Sequence, residues 1–114
     1  MTQNMTRDEL IVLIDQAAEE GWTKLDLSGK GLTELPPEIG KLTQLDTLIL
    51  GKHDFEQKGP EGETGWKKEN DVWVPIIVSN SLTILPNELK ALSRLKVLDL
   101  SGNRWDSFPP IALE

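Results

Sequence analysis

A chain of 114 residues holds one domain with a single modest core, and its 38% apolar residues include so few aromatics that this core must be leucine and isoleucine. A net charge of −7 and a pI near 4.7 argue against binding to nucleic acid or to an anionic membrane surface. The absence of cysteine excludes disulfides and thiolate zinc sites, and no apolar run approaches the roughly 20 residues of a membrane span.

The N-terminal segment MTQNMTRDEL lacks a basic stretch followed by a long apolar one, so it does not read as a secretory signal, and a cytoplasmic location is expected. Thr6-Arg7-Asp8-Glu9 is a capping-box sequence, and Leu10, Leu13, Ile14, Ala17 and Ala18 follow at helical spacing. A helix over residues 6–20 is predicted, stopped by Gly21. Its role is that of a cap, because the first unit of a repeat array leaves an apolar end that needs cover.

From Trp22 the spacing changes. Leu25, Leu27, Leu32 and Leu35-Pro36 fill the pattern L-x-L-x-x-N-x-L-x-x-L-P, with Lys30 at the asparagine. Alternate residues of a strand share a face, so Leu25 and Leu27 point inward, and Pro36-Pro37 forces an extended or turn-like return that carries Ile39 and Leu42. Leu45, Leu48 and Leu50 start the pattern again. Its asparagine does not arrive until Asn80, after which Leu82, Leu85-Pro86, Leu89 and Leu92 complete the unit. Leu95, Leu98, Leu100, Asn103 and Trp105 open the next, with Phe108-Pro109 standing for Leu-Pro. Leu25 to Leu48 is 23 residues, as is Leu85 to Phe108, a period within the 20 to 29 of leucine-rich repeats.

Residues 51–79 interrupt this series. They are glycine-rich and charged first, then β-branched. Two readings stand: an inserted β-hairpin with residues 72–78 as its returning arm, or a separate degenerate repeat. Pro75 would sit inward in a central strand of such a repeat, where a missing N–H is poorly tolerated, and the hairpin is therefore favoured. Antiparallel pairing of that arm would mark a hairpin and parallel pairing a repeat.

The run Leu32-x-x-Leu35-Pro36-Pro37-Glu38-Ile39-Gly40-x-Leu42-x-x-Leu45-x-x-Leu48-x-Leu50 resembles intracellular leucine-rich-repeat families of the LxxLPxxIxxL type. These include the plant Ras-group type and the repeats that precede the GTPase module of bacterial Roco proteins; the excursion between Lys52 and Val78 resembles cyanobacterial members with an insert inside a repeat. The resemblance implies an α/β fold: a short, curved leucine-rich-repeat solenoid with a parallel sheet on its concave face, used for protein binding. No G-x-x-x-x-G-K-[ST] occurs, so the GTPase is not carried over. The expected organisation is one domain over 1–114, with the helical cap at 6–20, repeats at 22–50 and 80–113 and the insert at 51–79.

Chemistry finds little to work with. His53 is the only histidine, the acidic residues Glu61, Glu63, Glu69 and Asp71 lack the spacing of a calcium loop, and Gly59, Gly62 and Gly65 precede no helix. No catalytic, metal or cofactor site is expected. Candidate partner-binding residues are Lys24, Asp26, Ile49 and Asp99 on the strands, with Trp66, Trp73, Val74 and Ile76 in the insert. The expected function is a non-enzymatic interaction module for a protein or peptide, with self-association through the hairpin or the uncapped last repeat as one form of it. The other reading is a repeat-array fragment of a larger signalling protein with a purely structural role.

Overall fold

In a computed structural model, residues 5–58 and 62–105 are described. Phe108-Pro109, the final return to residue 113, and Gly59 and Glu61 lie outside them. Helix α1 (Arg7–Glu20) starts at Thr6, whose hydroxyl accepts from the Glu9 amide while the Glu9 carboxylate accepts from the Thr6 amide. It ends at Gly21, where a φ of 70° lets the cap N–H turn back onto Ala17 and Ala18. Leu10, Ile14 and Ala17 form its buried stripe, and that stripe packs on the 3₁₀ turn Pro37–Lys41.

Three parallel strands follow the leucine pattern: β1 (Lys24–Asp26), β2 (Thr47–His53) and β6 (Val97–Leu100). β2 lies between the other two, and the register sets Leu25 beside Leu48 and Leu48 beside Leu98. Their inward side chains meet Ile39, Leu42, Leu89 and Leu92 from the returns, all buried. Burying one such side chain contributes about 1.5–3 kcal/mol, so this leucine layer is the main source of stability. The second 3₁₀ turn, Asn87–Ala91, stacks on the first. Gly40 allows the approach, because a Cβ there would stand 3.0 Å from the Glu88 carbonyl oxygen.

Asparagines join the successive turns. The Asn80 carboxamide accepts from the amides of Lys30 and Leu32 and donates to the carbonyls of Leu27 and Leu50. Asn103 repeats the arrangement one level on, accepting from the amides of Asn80 and Leu82 and donating to Leu50 and Ser101. Lys30, at the equivalent place in the first unit, has no earlier turn to join. Its carbonyl instead accepts from the Met5 amide at the entry to α1.

The insert leaves and rejoins without breaking this ladder. β2 overruns the repeat to His53, and the chain returns as β3 (Trp66–Glu69), β4 (Val72–Pro75) and β5 (Ile77–Val78). β3 and β4 pair antiparallel across Asn70-Asp71, both at positive φ as a two-residue type I′ turn requires. β5 pairs antiparallel with the end of β2. The returning arm is thus two strands with different partners, parted at Ile76, rather than one strand over 72–78. Hydrogen-bonded pairs alternate from the turn, so Pro75, opposite Trp66, falls at a position whose N–H would face away from the ladder. The proline costs no hydrogen bond there.

Candidate functional site

The open face of the parallel sheet carries two rows of side chains. Lys24, Thr47 and Val97 form one, and Asp26, Ile49 and Asp99 the next. Val97 is 49% exposed, Lys24 is exposed and Ile49 half-buried, so an apolar centre lies among polar groups. The two aspartates also have local work. In each Asp-Leu-Ser run one carboxylate oxygen accepts from the serine amide and hydroxyl, at 3.0 and 2.6 Å for Ser28 and 3.1 and 2.6 Å for Ser101. These bonds turn the chain at the strand end.

The second oxygen of Asp26 accepts from Lys52 Nζ at 2.7 Å. Partial burial pushes the Asp26 carboxyl up, but the Lys52 bond and the two from Ser28 outweigh it and hold the group below its ordinary 3.8; Lys52 is raised above 10.5 by the same partner. The stabilisation from a depressed carboxyl is present above its unfolded pKa and fades as pH falls through the folded one. Lys52→Met should therefore move the Asp26 titration to higher pH, read by carboxyl carbon shifts in NMR. An unmoved titration would remove Lys52 as a cause.

The insert builds a second surface beyond the strand ends. His53 occupies the position where the repeat spacing expects asparagine, and its Nε2 lies 2.7 Å from the Gly65 carbonyl oxygen. A carbonyl only accepts, so Nε2 carries the proton. The ring stacks on Phe55 at 4.0 Å and meets Trp66 edge-on at 5.0 Å. Register puts Trp66, Lys68, Trp73 and Pro75 on one face of the β3–β4 ribbon, with Lys68 Nζ 5.6 Å above the Trp73 ring. The opposite face holds Val72, half-buried Val74 and the Lys67–Glu69 ion pair at 3.0 Å.

Trp66 and Trp73 are 42% and 50% exposed, as partner-binding residues must be, whereas Ile76 is buried. Ile76 thus lies inside rather than on an exposed face, with its backbone bonded to Asp54 and Gly65. Sequence reading missed Phe55, 68% exposed, as well as Ile77. Val97 shares the strand alternation that picked out Asp99, and it stands on the same open face. Phe55 lies in a stretch without periodicity. Among the described residues no group of three or more His, Cys, Asp or Glu is placed to hold a metal, and no helix is long and apolar enough to cross a membrane.

Parallel strands carrying the leucine pattern, asparagines bonding turn to turn, and 3₁₀ returns stacked behind them define a repeat protein of mixed helix and strand. A model of the Leucine Rich Repeat family matches residues 94–114, which supports a leucine-rich-repeat protein. Domains of that family generally mediate protein–protein interaction and are typically non-enzymatic.

Proposed function

We propose that this chain is a non-enzymatic interaction module, a short curved solenoid of the LxxLPxxIxxL type that binds a protein through its open sheet face and its insert. One observation carries the reading. Of the eight large hydrophobic residues exposed among the described residues, the insert holds five: Phe55, Trp66, Val72, Trp73 and Ile77. Apolar surface gathered on one ribbon, with tryptophans in it, is the composition of an interface anchor. A copy of the same chain is one candidate partner, because among the described residues β3 and β4 pair only with each other and the ribbon's charges include both signs.

The test exchanges the insert for a tight turn. Replacing residues 51–79 by Gly-Gly restores the spacing Leu-x-x-Asn seen at Leu100–Asn103, with glycine where Gly29 and Gly102 have φ of 70° and 79°. This variant should fold, since loop length itself costs little and Asn80 can still bond Leu27 and Leu50. It should lose the partners recovered by proximity labelling with the full chain, and any concentration-dependent rise in molar mass by light scattering. Trp66→Ser with Trp73→Ser should do the same. An identical partner set and an identical mass would refute the proposal.

A further inference from the structure

Four cations of the described residues, Arg7, Lys41, Lys52 and Lys67, are held in ion pairs. Lys24, Arg94 and Lys96 are exposed and in no ion pair among those residues, and all three stand at the start of the parallel strands. Backbone bonds fix the level: Asp46 and Thr47 amides donate to the Thr23 carbonyl, and Lys96 and Val97 amides donate to that of Asp46. Arg94 and Lys96 border a groove of about 470 Å³ with Thr23, Gln44, Asp46 and Ser93. Its one carboxylate, Asp46, accepts from the Thr47 hydroxyl at 2.8 Å. In a chain of net charge −7 this groove carries two cations against one anion, and Lys24 stands at the head of β1, on the other side of β2. Val97 follows Lys96 at the start of β6, beside Thr47 of β2, and Ile49 stands one row further on.

We propose that this rim receives the acidic end of an extended segment of a partner protein, with its carboxylates against Lys24, Arg94 and Lys96 and the apolar side chains that follow against Val97 and Ile49. The inference rests on the protein-binding reading above and adds the partner's chemistry and direction. Charge complementarity selects the occupant. An acidic segment is repelled by most of this molecule and attracted here, which fixes where it docks and which way it runs. A basic segment would find many better places.

The probe is the blocked peptide acetyl-Glu-Glu-Leu-Val-Leu-amide, titrated into the ¹⁵N-labelled full chain and followed by amide shifts in NMR, with the Lys-Lys counterpart as control. The acidic peptide should saturably shift the amides of Thr23, Lys24, Thr47, Lys96 and Val97, and bind more weakly as salt is raised to ~0.3 M. The combined change Lys24→Glu, Arg94→Glu and Lys96→Glu should weaken binding by on the order of tenfold or more, since three exposed attractions become repulsions. The matching glutamine variant should give a smaller loss in the same direction and serves if the glutamates disturb the fold. Equal or tighter binding of the Lys-Lys peptide at this rim, or no shift anywhere, would overturn the inference. Shifts confined to Phe55, Trp66 and Trp73 would overturn it too while leaving the interaction module in place.

Discussion

Asn80→Ala should lower the stability of the fold by about 3 kcal/mol or more, because buried hydrogen bonds each contribute about 0.5–1.5 kcal/mol and an orphaned buried group costs about 1–3 kcal/mol. Asn80 is the one buried polar residue among those described, and its carboxamide serves four backbone groups from two segments of chain. Alanine leaves the amides of Lys30 and Leu32 and the carbonyls of Leu27 and Leu50 short of a partner. Asn80→Asp should be equally harmful despite its similar shape, since a carboxylate cannot donate to the two carbonyls and would face them with negative charge. Asn103→Ala should cost less, as that side chain is only half-buried. Urea unfolding followed by circular dichroism gives the comparison. A midpoint for Asn80→Ala equal to that of the parent would mean that the ladder is not what ties the turns together.

Gly51→Ala should be the most damaging of the glycine changes. A Cβ at Gly51 would lie 1.8 Å from the Ser101 carbonyl oxygen and 2.9 Å from its carbon. Both are backbone atoms of the neighbouring turn, so no side chain can swing aside. The clash falls where β2 and β6 lose their regular register between Ile49 and Gly51, next to the carbonyl of Leu50 that both asparagines use. Overpacking a fixed interior typically costs about 1–3 kcal/mol, and the rigid partner puts Gly51→Ala at about 3 kcal/mol. Gly21→Ala is the contrast: φ is 70° but nothing stands within 4 Å, so only the left-handed backbone is penalised, at about 1 kcal/mol. The two variants compared in the same urea titration separate steric from conformational cost. Equal losses would show that the sheet yields at Gly51.

The spacing of leucines located the strands and the buried positions, because each unit repeats a short pattern whose meaning is local. Thr6 through Glu9 and Gly21 likewise marked where α1 begins and ends through bonds spanning a few residues. Lys30 looked like a defect in the series and is an end effect, since the first turn has nothing before it to join. The insert was legible as an interruption, and Pro75 argued for a hairpin. Where Pro75 ended up depended on a turn at Asn70-Asp71, two residues that tolerate positive φ but that the proline argument did not draw on. The candidate contact residues divided in the same way: Trp66 and Trp73 stand on an exposed face, while Ile76 looked identical in pattern and was taken inside.

Sequence by itself determined the repeat, the cap and the inward leucines, for all three follow from periodicity and from groups bonding within one turn. Tertiary structure alone decided what the insert does. His53 reaches Gly65, Phe55 and Trp66 across a loop, Lys52 reaches back to Asp26, and Asn80 closes on Leu27 and Leu50. Each of those contacts joins residues that no local period relates, and only the packing of one turn on the next brings them together.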